Sequence, residues 1–200
     1  QLVCNMGDTK NEILIKSLRL FLRKSYKEVT MSEIVKEIGL TKGAIYHHFT
    51  NKEEIFEEAV KYFYNHEMIT NYNSFPQTSL FDFYNFYLKL LGNSSDNANA
   101  MDDDNVFLFI SEAIRRIPTF LEINEIQRNK EINAWSKIID IAKEKKEINT
   151  DLLSQDIAHM FLNLSDGVAL NKMIALKTGT VSLNEMTRDW NNLYALLRIK

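Results

Sequence analysis

Thr30-Met31-Ser32-Glu33-Ile34-Val35-Lys36-Glu37-Ile38-Gly39-Leu40-Thr41-Lys42-Gly43-Ala44-Ile45-Tyr46-His47-His48-Phe49-Thr50-Asn51-Lys52-Glu53-Glu54 carries start and stop signals for three consecutive helices. Thr30 and Glu33 have the spacing of a capping box. The threonine hydroxyl can accept from the Glu33 amide while the Glu33 carboxylate reaches back. A short helix opens there with Ile34, Val35 and Ile38 inward, and Gly39 suits the left-handed residue that ends a helix. Thr41 can cap a second helix over 42–49, with Ile45 and Phe49 inward. Asn51 and Glu54 resemble another capping box, opening a helix to about residue 65. Upstream, Ile13/Leu14, Ser17/Leu18 and Phe21/Leu22 recur every four residues, which predicts a helix over 9–25. Short helices capped at both turns describe a helix-turn-helix unit.

The rest of the chain is also helical in pattern. Among 200 residues, 45% are hydrophobic and 11% aromatic, yet there are only 2 prolines and 6 glycines. Strand-rich folds use more of both at turns, so an all-α chain of about nine helices is expected. Further helices are predicted over 78–91, 104–116, 119–146, 152–176 and 183–199, with a polar loop at 92–104 and a break at Pro118. Leu183, Met186, Trp190, Leu193 and Leu197 are spaced 3, 4, 3 and 4, the seam of a packed bundle.

Charge divides the chain. Residues 10–52 hold nine Lys/Arg against four acids, whereas residues 53–200 hold fifteen against twenty-two. A basic head on an acidic body is the asymmetry of a protein whose one end meets phosphate. The single cysteine, Cys4, excludes an internal disulfide and suits a reducing cytoplasm. No apolar run reaches the ~18 residues of a membrane span, and the N-terminus lacks a signal-peptide pattern. Residues 1–5 fit no element and read as either a disordered leader or an added remnant, with Met6 a candidate natural start.

Residues 21–55 resemble the TetR family of bacterial repressors. The resemblance is carried by Phe21, Tyr26, Val29-Thr30, Ile34, the run from Gly39 to Tyr46, His48-Phe49, Asn51-Lys52-Glu53 and Ile55. Its most specific part is the Tyr-x-His-Phe-x-x-Lys run from Tyr46 to Lys52. Ser25 departs from the family's usual glycine and predicts a slightly strained turn; Val35 and Ile38 stand where alanine is common. The resemblance implies a DNA-binding domain over 8–54 and a larger helical effector-binding and dimerisation domain over 55–200. It implies a cytoplasmic homodimer on a pseudo-palindromic double-stranded operator, released by a small, largely apolar effector. Control by a protein partner, or activation in place of repression, is the alternative.

A recognition helix leads into the major groove with its N-terminal residues. Gly43 and Ala44 would let the backbone come close, and Lys42 can reach a guanine edge or a phosphate. Tyr46 and His48 carry polar tips suited to phosphate. Thr30 and Thr41 can donate as well as cap, Lys52 would meet a phosphate at its helix start, and His47 is a weaker candidate that points elsewhere. The body's aromatics could line an effector pocket, with Tyr84, Tyr87, Phe107 and Trp135 as walls and Arg115, His159, Asn163 and Asp166 as anchors. Ile157, Phe161, Leu164, Val168, Met186, Trp190, Leu193 and Leu197 are the dimer-seam candidates, with core packing inside one subunit as the rival reading. No Gly-rich phosphate loop, nucleophile elbow, HExxH or paired-cysteine motif occurs, so no enzyme, metal or cofactor is expected.

Overall fold

The computed structural model describes residues 6–67, 70–95, 106–174 and 179–198. It is all-α. Nine α-helices form among these residues: α1 (Met6–Arg23), α2 (Met31–Ile38), α3 (Lys42–His48), α4 (Lys52–Tyr62), α5 (Leu80–Ser95), α6 (Val106–Arg116), α7 (Phe120–Glu144), α8 (Ser154–Ile174) and α9 (Gly179–Leu197). A π-helical turn, Phe63–Glu67, follows α4, and a 3-10 turn, Tyr72–Ser74, precedes α5. Extended pairing among the described residues is limited to a single antiparallel bridge, Ile148 with Arg198.

The chain folds as two compact units. One takes residues 1–69 and 101–125, the other 70–100 and 126–200. In the first, Ile13, Leu18, Phe21, Ile34, Ile45, Phe49, Ile55 and Phe56 form the core, which extends to Phe109, Ala113 and Phe120. Phe56 meets Phe21 edge-on at 5.0 Å and Phe109 at 5.3 Å, the geometry that ring quadrupoles favour. In the second unit Phe83, Tyr84, Trp135, Phe161 and Trp190 are fully buried, and the Trp190 Nε1–H donates to the Phe161 carbonyl at 2.8 Å.

The local signals at 30–54 form as the spacing predicts. Thr30 caps α2 in a complete capping box, and Gly39 ends it in the left-handed region at φ 78. Thr41 Oγ1 accepts from the Ala44 amide, and Asn51 Oδ1 from the Glu54 amide. The second box differs from expectation, because the Glu54 carboxylate accepts from the Thr50 amide and hydroxyl. Ser25 brings no strain either. Its φ is not positive, and its amide and hydroxyl both donate to Glu28, closing the turn after α1.

Other boundaries moved. α5 runs on through Ser95, so 92–95 are helical; the rest of the predicted loop and the predicted helix start at 104 lie outside the described residues, as does the 1–5 segment. α9 starts at Gly179, before the predicted Leu183. The start of α5 has a cap that no local spacing shows: the Leu80 and Phe81 amides both donate to the Glu147 carboxylate at 2.9 Å.

The capping box predicts an acid-side effect. The Lys24 ammonium, bonded at 2.7 Å, and the Thr30 amide hold the Glu33 carboxyl down to about 2 from its ordinary 4.5. A carboxylate depressed by folding stabilises above its unfolded value, and that contribution disappears as pH falls through the folded one. Glu33→Gln should therefore flatten the loss of melting temperature between about pH 4.5 and pH 2 relative to the parent, as read by thermal melts across that window.

Candidate nucleic-acid interface

The two capped turns set α3 on the surface of the first unit. Ile45, 0% exposed, and Phe49 just past the helix end pin its inner face. Lys42, Gly43, Tyr46 and His47 are then exposed on the outer face, while Ala44 and His48 are partly buried. The Lys42 ammonium lies 5.6 Å from the centroid of the Tyr46 ring, so a cation and a hydroxyl-bearing ring share one patch. At the last turn of α3 the His47 and His48 rings meet edge-on at 5.2 Å.

Gly43 is informative. A Cβ built there meets nothing within 4 Å. Its φ is not positive, so neither backbone conformation nor internal packing requires glycine. An exposed glycine inside a helix costs roughly 1 kcal/mol relative to alanine.

Lys52 is placed differently from expectation. Its ammonium donates to the Tyr26 carbonyl at 2.9 Å and the Val29 carbonyl at 2.8 Å, and stands 4.1 Å over the Tyr26 ring. Burial holds its pKa below the ordinary lysine value. Two of its three N–H donors are thus committed to the turn before α2. The same ring packs 3.8 Å from the Arg116 guanidinium, and its hydroxyl donates to Glu53 at 2.6 Å. Lys52 therefore ties α4 to the turn that leads into the helix-turn-helix. Thr30 is likewise occupied, accepting from the Glu33 amide and donating to its carboxylate.

In the second unit the effector candidates separate. Tyr84 is fully buried, with its hydroxyl on Asn191 at 2.8 Å, and it packs against Phe161 and Trp190 as core. Arg115 belongs to the first unit and is exposed at the end of α6. The Phe107 side chain lies outside the described residues, and His159 is partly buried. Tyr87 and Trp135 come together at 6.3 Å. Asn163 and Asp166 converge on one guanidinium, that of Arg128, at 3.0 and 2.7 Å. Arg128, Glu131 and Tyr72 were missed. The helical spacing of 128, 131 and 135 was the available signal for the first two; Tyr72 sits in an irregular turn and had none.

The dimer-seam candidates need correction. Ile157, Phe161, Val168, Met186, Trp190 and Leu197 are buried in the second unit's own core, with at most 7% exposure, so they have no surface left for another chain. Leu164 and Leu193 are partly exposed and, with Met160 and Asn163, line a groove of about 390 Å³. Leu170 and Leu196 are exposed on the same two helices, at 45% and 83%.

No helix among the described residues is long and apolar enough to cross a membrane. The profile of the family described as "Bacterial regulatory proteins, tetR family" matches residues 13–59. The HTH-type transcriptional regulator YerO of Bacillus subtilis is 40% identical over 58 residues, which is 29% of this chain and 20% of that protein. The negative transcriptional regulator of the biofilm operon icaADBC in Staphylococcus aureus, IcaR, is 23% identical over 203 residues, covering 95% of this chain and 97% of that one. In fold, a TetR-family regulator from Cytophaga hutchinsonii superimposes with a TM-score of 0.74 at 18% identity, over 100% of both chains. The chain thus carries, over residues 13–59, the helix-turn-helix of the tetR family of bacterial regulatory proteins, on a fold that it shares along its length with a solved regulator of that family.

Proposed function

We propose that the chain is a cytoplasmic, homodimeric transcriptional repressor that holds a pseudo-palindromic operator through α3 and lets go when a small molecule binds its C-terminal domain. The observation that carries the reading is the outer face of α3, where an exposed glycine with open space stands between Lys42 and Tyr46. Residues 8–54 act as the DNA-binding domain and 55–200 as the effector and dimer domain. Gly43 and Ala44 admit the backbone to the major groove, Lys42 reads a guanine edge or a phosphate, and Tyr46, His47 and His48 meet phosphates and sugar. Thr41 joins them from the helix start. Lys52 contributes its remaining N–H donor, and Thr30 chiefly shapes the turn.

Two copies pairing through the α8/α9 face, with the Met160–Leu164–Leu193 groove and Leu170 and Leu196 covered, would present two recognition helices about 34 Å apart, one turn of duplex. An effector that favours one separation of the heads by about 100-fold shifts the population enough for release. The full-length likeness to a negative regulator supports repression.

Anisotropy titrations against a bound duplex at several salt concentrations test the contacts. Lys42→Ala should weaken binding about ten-fold and, if Lys42 meets a phosphate, reduce the salt slope by about one. Tyr46→Ala should weaken binding without that change in slope. Unchanged affinity in both would remove α3 from the interface.

A further inference from the structure

Arg128, Glu131 and Trp135 lie on one face of α7, three and four residues apart. The Tyr72 hydroxyl donates to Glu131 Oε1 at 3.1 Å, and the Arg128 guanidinium approaches Oε2 at 3.5 Å. The other end of that guanidinium donates to Asp166 at 2.7 Å and to Asn163 at 3.0 Å. Around this line stand parallel rings: Tyr72 stacks on Phe83 at 6.0 Å and on Tyr87 at 6.3 Å. Trp135 is fully buried, and its indole N–H sits beside the Tyr72 hydroxyl without completing a hydrogen bond. Burial raises the Glu131 carboxyl and pushes the Tyr87 hydroxyl up to about 12.

One guanidinium is thus shared by two carboxylates, and one of these, Glu131, also accepts from a tyrosine of the ring stack, whose faces are of the kind that attracts cations. A plain ion pair joining α7 to α8 would need neither the ring stack nor a carboxylate drawn in against it. Arg128 and Glu131 keep 26% and 28% of their side chains exposed and Asp166 keeps 62%, so the arginine can leave toward solvent. We propose that Tyr72, Tyr87, Glu131 and Asp166 form a binding site for a planar organic cation of the guanidinium or amidinium type, and that Arg128 holds this seat with its own guanidinium. The ligand's fork takes over the carboxylates, its flat face meets the tyrosine rings, and Arg128 swings out. The proposal rests on the effector-responsive reading and gives that effector a chemical class. It replaces the expectation of a largely apolar ligand.

Calorimetric titration of the full-length protein with phenylguanidinium, its neutral isostere phenylurea, and benzoate tests the site. Phenylguanidinium should bind about ten-fold more tightly than phenylurea, with benzoate weaker than both. Arg128→Ala should tighten phenylguanidinium about ten-fold by removing the internal competitor, a gain that a structural ion pair would not produce. Glu131→Gln should erase the preference for the cation, with Asp166→Asn as a second variant should the first fail to fold. Near-UV circular dichroism of the tryptophans verifies folding. Benzoate as the best ligand, lost in Arg128→Ala, would make Arg128 an anion anchor and overturn the cation class while leaving an effector site. Equal binding of phenylguanidinium and phenylurea, or no binding of any of the three, would also overturn it. Release of an operator duplex by small molecules is measured separately, so the effector-responsive reading stands or falls on its own result.

Discussion

Gly43→Leu is expected to lower affinity for operator DNA about 100-fold or more while leaving the protein as stable as its parent, or slightly more so. The two effects separate because of where Gly43 sits. It lies in the first turn of α3, exposed, and a Cβ there meets nothing within 4 Å. In the isolated protein a leucine extends into open space and removes the ~1 kcal/mol helical cost of glycine. On DNA, in the proposed binding mode, the same side chain would stand between the helix backbone and the groove floor. Each base or phosphate contact pulled out of reach costs about 1–3 kcal/mol, and two suffice for the expected loss. Thermal melts and anisotropy on one preparation read both effects. A lower melting temperature with unchanged DNA affinity would show that the glycine serves folding and not the interface.

The second large effect is on stability. Trp190→Ala should cost about 3–5 kcal/mol, because truncating a large buried aromatic removes its transfer energy and leaves a cavity. Trp190 is fully buried, 5.1 Å from Trp135, 5.5 Å from Tyr87 and 5.9 Å from Phe161 in ring-centroid distance. It also loses the hydrogen bond to the Phe161 carbonyl. For a chain of this size the melting temperature should fall by about 10 °C. The protein has two tryptophans, so Trp135 remains as the single tryptophan reporter of unfolding in urea. A loss below about 1 kcal/mol would place Trp190 at a surface and restore it to the subunit seam.

What could be read from the chain was what is local. The Thr30 box, the Gly39 stop and the Thr41 and Asn51 caps join residues three or four apart, and each formed. The face of α3 followed from the same periodicity, because burying Ile45 and Phe49 turns Lys42, Gly43 and Tyr46 outward. The seam in α9 shows the limit of that reasoning. Spacing of 3 and 4 reports that one face is apolar, not what covers it, and here Met186, Trp190 and Leu197 face the chain's own core. Contacts across long separations left no pattern to read. Lys52 reaches back 26 residues to the Tyr26 carbonyl, Glu147 caps a helix start 67 residues away, and Arg128 finds Asp166 38 residues on. Such pairings depend on how helices pack, and a charged residue on a helix face has many candidate partners until they do.

Selection of bound duplexes from a random pool at fixed salt, with the mass of the resulting complex, tests the DNA-binding claim most directly. The expected result is a pseudo-palindrome with half-sites about one helical turn apart, held by two copies of the chain, and no enrichment with Gly43→Leu. A folded protein that enriches no sequence, or a single half-site held by one copy, would contradict it.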